Sequence, residues 1–224
     1  MDTADLNEIR YFNTYYPIEG VTTNPTILAR EGGDVLTLLK QIREVIGVDK
    51  ELHVQVTETE YDRILEEAAA LVAYLGQNTF IKVPADDVGL RATAELKRRG
   101  IRVTMTAVLS AAQAMLASNA GATYVAPYVS RLENICDDGI GVVVDIVKIF
   151  RSCGADTKIL AASFKTAKEV LDVAVVGAHS STVAPDVMKR LLAHTSTDTS
   201  ILGFKSDWNK AFGDVTLLQL LQSK

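Results

Sequence analysis

The sequence predicts an α/β protein, a single (β/α)8 barrel with an extra C-terminal helical segment. Three observations carry this. Short apolar, β-branched runs alternate with amphipathic helical stretches along the chain. The strand ends recur at intervals of roughly 20–35 residues, the size of one βα unit. The strands are apolar on both faces, which fits a parallel sheet covered by helices. Counting a strand stub at residues 1–2 gives eight units within 224 residues, which favours a closed barrel over an open doubly wound sheet. No Gly-x-Gly-x-x-Gly follows a strand, which weakens a dinucleotide-binding alternative.

Taken in order, the stub leads to a helix containing Leu6 and Ile9, for which Asp2 or Asp5 is the candidate cap. Strands follow at 20–23, 52–56, 79–83, 101–106, 123–126, 158–162 and 180–183, flanked by Gly, Pro, Asp or Asn. Helices are expected at 34–46, 61–75, 88–99, 110–118, 167–176 and 185–192. In 61–75, Ile64, Leu65, Ala68, Leu71, Val72 and Leu75 share one face, while Glu66 and Glu67 point elsewhere. Helix 88–99 is capped by Asp86 or Asp87, stopped by Gly100 and basic in its last turn. Asp137 and Asp138 open a long helix with Val143, Val147 and Phe150 on its apolar face, and Gly154 follows it. The barrel is expected to occupy residues 1–196. Residues 197–224 form a helical extension whose Leu217, Leu218, Leu220 and Leu221 make an apolar patch for the barrel or a neighbouring subunit.

Composition narrows the function. Hydrophobic residues make up 48% of the chain, enough for a sizeable core and too many for a disordered chain. The net charge is −5, with no Lys/Arg cluster interleaved with aromatics, so nucleic acid is disfavoured as a partner. The start Met1-Asp2-Thr3-Ala4-Asp5 is not a signal peptide, and no apolar run is long enough for a membrane helix. Cys136 and Cys153, the 2 cysteines, are expected to be reduced thiols of a cytoplasmic protein. His53, His179 and His194 lie far apart, without metal-ligand spacing, so no metal is expected.

In a barrel the chemistry sits where the strands end. Here nearly every strand ends in a polar residue: Asp2, Thr22-Thr23-Asn24-Pro25, Gln55, Lys82, Thr106, Tyr128 with Arg131, and Ser163-Phe164-Lys165. Lys82 stands within the apolar run Phe80-Ile81-Lys82-Val83-Pro84. Desolvation lowers the pKa of such an amine, and a neutral amine attacks a carbonyl to form a Schiff base. The bland alternative is a strand-end lysine that snorkels to water. Asp2 is either an acid/base group near that amine or a helix cap. The Thr-Thr-Asn-Pro loop either binds sugar hydroxyls or only ends a strand. Gln55 and Tyr128 either hold a water or substrate hydroxyl, or make ordinary structural contacts. Arg131, Ser163 and Lys165 suit a phosphate, since Arg gives planar bidentate contacts and Lys a point charge. The alternative for each charge is surface solubility.

These pieces resemble the small transaldolase-like family, class I aldolases on a TIM barrel. The matching segments are Asp2-Thr3-Ala4-Asp5, Gly20-Val21-Thr22-Thr23-Asn24-Pro25-Thr26, Phe80-Ile81-Lys82-Val83-Pro84, Thr106-Ala107-Val108, Tyr124-Val125-Ala126-Pro127-Tyr128-Val129-Ser130-Arg131 and Ala161-Ala162-Ser163-Phe164-Lys165-Thr166. They keep the family's order and cover nearly the whole chain. One branch transfers a dihydroxyacetone unit between sugar phosphates. The other resembles fructose-6-phosphate aldolase, which uses free dihydroxyacetone. The transaldolase branch typically has Glu and Phe where this chain has Gln55 and Tyr128, so the resemblance points to the aldolase branch. In one departure, Met1 directly precedes Asp2, where family members have several apolar residues, so a short first strand is expected.

The resemblance implies Lys82 as the Schiff-base residue. A water held by Gln55, Thr106 and Tyr128 would relay protons with help from Asp2. Thr22 and Asn24 would contact donor hydroxyls, and Arg131, Ser163 and Lys165 the phosphate. It implies dihydroxyacetone-type and sugar-phosphate substrates, no cofactor or metal, and a homo-oligomer, commonly a decamer. A transaldolase is the first alternative. A non-catalytic sugar-phosphate-binding protein is the remote one.

Overall fold

The computed structural model describes residues 1–133 and 138–224. Cys136 and Asp137 therefore lie outside the described residues. The chain divides into two compact units, Met1–Met188 and Lys189–Lys224.

The first unit is built on a curled parallel sheet of seven strands in sequential order. They are β1 (Gly20–Thr22), β2 (Glu51–Gln55), β3 (Thr79–Pro84), β4 (Val103–Val108), β5 (Tyr124–Pro127), β6 (Lys158–Ala161) and β7 (Ser180–Ser181). Each expected strand from 20–23 onward is present, although the one expected at 101–106 begins and ends two residues later and the one expected at 180–183 is reduced to two residues. The expected stub is a single bridging residue: Asp2 pairs with Thr22 in parallel. Its backbone N–H donates to Val183 O at 2.9 Å, and Thr22 N–H donates to Met1 O at 2.7 Å.

Helices α1 (Leu6–Tyr15), α2 (Pro25–Glu31), α3 (Val35–Ile46), α4 (Tyr61–Leu75), α5 (Asp87–Arg98), α6 (Ala111–Asn119), α7 (Val129–Glu133), α8 (Gly139–Cys153), α9 (Ala167–Val176) and α10 (Pro185–Leu192) precede the first strand, connect the strands or follow the last one. Their starts follow side-chain chemistry. Asp5, Asp34, Asp86, Ser110 and Asp138 each accept from first-turn N–H groups. Thr166 and Glu169 form a reciprocal capping box on α9. Since Asp5 caps α1, Asp2 is released from that structural duty.

Alternation along the strands divides the core. Val21, Leu52, Val54, Ile81, Val83, Val103, Met105, Val125 and Ile159 pack with the helices. The opposite face carries Glu51, His53 and Gln55 on β2, Phe80 and Lys82 on β3, and Thr104 and Thr106 on β4. Phe80, Tyr124 and Leu160 form a separate buried apolar cluster on this face. Arg43 of α3, 7% exposed, ties strand-entry loops together by donating to the carbonyls of Leu75, Gly47, Lys50 and Asn78. Close helix–strand packing fixes Gly89, because a Cβ there would stand 2.0 Å from Pro84 O.

The second unit contains α11 (Thr195–Phe212) and α12 (Leu217–Gln222). Trp208 Nε1 donates to Val215 O at 2.7 Å and folds the connection back, while Thr216 and Gln219 cap α12. Ile201, Leu202, Phe204, Phe212, Leu217, Leu218, Leu220 and Leu221 remain exposed. Among the described residues, no helix is long and apolar enough to cross a membrane.

Candidate active site

A cavity of ≈ 520 Å³ opens at the C-terminal ends of the strands. Its lining includes Asp2, Thr22, Asn24, Gln55, Lys82, Tyr128, Arg131, Ser163 and Lys165. Of the sequence candidates, only Thr106 does not line it directly. It is buried, with its hydroxyl 3.1 Å from that of the lining residue Tyr128. The strand-end residues, scattered through the sequence, thus meet at one mouth.

Lys82 lies on the floor, 5% exposed. Strand register sets it between Gln55 on β2 and Thr104 on β4. Its Nζ donates to Thr23 O at 2.8 Å. Burial pushes the amine well below the usual lysine range, and the charge of Asp2 opposes this more weakly. The side chain does not snorkel to solvent, and a depressed ammonium yields the neutral nucleophile more readily.

Asp2 reaches the site through the bridge described above. Its carboxylate accepts from Thr22 Oγ1 at 2.7 Å, and Thr22 Oγ1 is 2.6 Å from Thr182 Oγ1. Asn24 does two things at once. Its Oδ1 caps α2 by accepting from Ile27 N–H at 2.9 Å, which leaves its amide hydrogens as the donors facing the cavity.

The rim is cationic. Arg131 places its guanidinium 4.9 Å from the centroid of the Tyr128 ring. Ser163 and Lys165 lie on the loop after β6, which Glu169 organises by accepting from Ser130 Oγ and from the backbone N–H groups of Lys165 and Thr166. Two non-glycine residues of the wall adopt left-handed backbone angles, Ala107 at φ 54° and Ser163 at φ 64°. Such strain, of order 1–2 kcal/mol per residue, clusters at functional sites. At Ala107 it coincides with a register shift between Met105 and Val108.

Sequence reasoning missed Arg30, Thr104, Ala107 and Thr182, which also line the cavity. Alternation would have found Thr104, two residues before Thr106 on the same face, and Thr182, whose face is set by the last strand. Nothing in the local pattern marks Arg30.

The assembled site offers a buried amine for attack on a carbonyl, amide and hydroxyl groups that suit a polyol, and a cationic rim that suits an anionic group. Comparison with known proteins bears on this. Residues 1–220 match the family model described as Transaldolase/Fructose-6-phosphate aldolase. A protein of Thermoanaerobacter sp. (strain X514) named probable transaldolase is 40% identical over 211 residues, covering 94% of this chain and 96% of its own. Another so named, from Symbiobacterium thermophilum, is 40% identical over 215 residues, covering 96% and 98%. A third, from Moorella thermoacetica, is 41% identical over 210 residues, covering 94% and 96%. Among solved structures, an enolase from environmental shotgun sequencing of the Sargasso Sea superposes with a TM-score of 0.59 at 14% identity, over 82% of this chain and 48% of that one. That likeness concerns the fold alone.

Proposed function

Because the chain belongs to the transaldolase/fructose-6-phosphate aldolase family, we propose that it is a class I aldolase interconverting fructose 6-phosphate with dihydroxyacetone and glyceraldehyde 3-phosphate. The observation that carries this reading is the buried Lys82 amine at the meeting point of the polar strand ends, with Gln55 beside it in register and the Tyr128–Thr106 pair on the same wall.

Neutral Lys82 attacks the ketone carbon, and the carbinolamine loses water to give an iminium. Gln55, Thr106 and Tyr128 hold the water that relays the protons, and Asp2 assists dehydration. In cleavage, the C4 hydroxyl gives up its proton to this relay and its oxygen pair forms the aldehyde C=O. The C3–C4 pair moves into the enamine as the iminium nitrogen accepts the π electrons. Protonation of the enamine at carbon and hydrolysis release dihydroxyacetone and restore Lys82. Arg131, Ser163 and Lys165 hold the phosphate, and Thr22 and Asn24 contact donor hydroxyls. Gln55 cannot ionise, and the Tyr128 hydroxyl supplies the proton-relay contact that a carboxylate would otherwise provide.

The bridge at Asp2 supports reading residues 1–2 as the eighth stave of a closed barrel. The exposed apolar residues of α11 and α12 support packing of residues 197–224 on a neighbouring copy in a homo-oligomer. The names of the relatives favour a second reading, a transaldolase that passes the dihydroxyacetone unit to an acceptor aldose phosphate. Borohydride reduction with fructose 6-phosphate tests the shared chemistry. Covalent capture on Lys82, absent from Lys82→Ala, is expected. Failure to capture refutes both readings.

A further inference from the structure

Two threonine hydroxyls in series hold Asp2 at the cavity, and the second of them has no part in the mechanism above. Thr182 follows β7, and its backbone N–H donates to Ala161 O at 2.8 Å. The next residue, Val183, accepts from Asp2 N–H at 2.9 Å. On its other side Asp2 pairs with Thr22. Asp2 thus lies between Thr22 and the segment after β7, and the Thr22 and Thr182 hydroxyl oxygens meet at 2.6 Å. Both threonines are buried and both line the cavity.

Counting hydrogens fixes the polarity of this relay. Each threonine hydroxyl has one hydrogen to donate. A carboxylate oxygen only accepts, so the 2.7 Å contact between Thr22 Oγ1 and Asp2 Oδ1 uses the Thr22 hydrogen. Met1 O is a poorer acceptor for that hydrogen at 3.4 Å, beyond the roughly 2.5–3.0 Å of an O–H···O bond. The contact between the two hydroxyls then needs the hydrogen of Thr182. Thr182 donates to Thr22, and Thr22 donates to Asp2. Donation into Thr22 Oγ1 polarises its O–H and strengthens the bond to the carboxylate. A β-branched side chain has few χ1 rotamers, so two threonines on strand-paired backbone keep the relay in one arrangement.

The relay engages one carboxylate oxygen. Asp2 Oδ1 is anchored, while Oδ2 has no hydrogen-bond partner among the described residues. Asp2 lines the cavity, and its charge acts on the Lys82 amine. An anchored carboxylate offers its second oxygen to an adduct on Lys82 in a single orientation, where a freely rotating one would offer many.

We propose that Thr182 is a positioning residue for Asp2: acting through Thr22, it fixes the carboxylate in the orientation from which it assists loss of water from the Lys82 carbinolamine. This rests on the Schiff-base reading above.

The test follows that loss of water. Protein and saturating dihydroxyacetone are mixed, quenched with borohydride at successive times, and the adduct on Lys82 is counted by mass spectrometry. Borohydride reduces the iminium and not the carbinolamine, so the time course reads dehydration. Thr182→Val keeps the shape and removes the hydroxyl. It is expected to slow the time course roughly tenfold, the weight of one hydrogen bond, with the half-saturating ketone concentration unchanged within about twofold. Thr182→Ser is expected to restore the rate, and in an Asp2→Ala background Thr182→Val is expected to slow it no further. Should Thr182→Val fail to fold, as read by urea denaturation, Thr182→Ala takes its place in the same comparisons. An unchanged rate without the hydroxyl, a Thr182→Ser variant as slow as Thr182→Val, or losses that multiply in the double variant overturn the proposal alone. Failure of the unsubstituted protein to form the adduct overturns the Schiff-base reading and this proposal with it.

Discussion

Replacing Lys82 by Met should make the protein more stable as it abolishes activity. Met has a similar length and no charge, so the packing of the floor is kept. The ammonium is 5% exposed, donates to Thr23 O, and has Asp2 as its opposing charge. Its folded pKa is depressed, so the charged form destabilises the native state by about 1.4 kcal/mol for each unit of depression. That cost is complete below the folded pKa. It shrinks as pH rises from there and vanishes at the unfolded value of about 10.4. Loss of the bond to Thr23 O subtracts about 1 kcal/mol, independent of pH to first order. Urea denaturation of both proteins from pH 6 to pH 10 should therefore show Lys82→Met most favoured at low pH. Its advantage should decline with a slope of about 1.4 kcal/mol per pH unit inside that window. A difference that stays flat with pH would mean that the amine is not depressed. The argument for a neutral nucleophile would then fail.

The imidazole of His53 is also depressed, so the unfolded chain binds a proton that the native state refuses. Stability should fall by about 1.4 kcal/mol per pH unit as pH drops below about 6.5, and His53→Phe should remove that part of the slope in acid denaturation curves. Arg131→Ala should raise KM for fructose 6-phosphate at least tenfold, a loss of about 1.5–3 kcal/mol from a charged hydrogen bond, with little effect on kcat/KM for unphosphorylated aldehyde acceptors in steady-state assays. Arg43→Met leaves four carbonyls without their donor. It should cost about 3 kcal/mol in denaturant unfolding and leave the pH profile of catalysis in place.

The strands were legible in the sequence as short apolar runs, several of them bounded by Gly, Pro, Asp or Asn, as at Gly20–Thr22 before Asn24-Pro25 and Thr79–Pro84. The long helices were legible because caps such as Asp34, Asp86 and Ser110 stand one residue before an apolar stripe. Helices α2 and α7 were not, since seven and five residues are too few to show a helical period. For α2 the Asn24 cap and Pro25 in the first turn were the available signal. The site was legible at the strand ends, where a polar residue interrupts an apolar run. It was not legible one layer down. Thr104 is an ordinary strand residue until register sets it beside Lys82, and His53 is one until its ring meets the Thr104 hydroxyl. Asp2 illustrates the converse: its competing role as a cap was settled only by Asp5 taking that position on α1.

Incubation with fructose 6-phosphate alone, following glyceraldehyde 3-phosphate, tests the central claim most directly. Sustained release over many turnovers is expected, because in the proposed mechanism the Gln55–Tyr128 wall lets the Schiff base hydrolyse without an acceptor. Release limited to one equivalent, with turnover restored by erythrose 4-phosphate, would contradict the aldolase reading and identify a transferase.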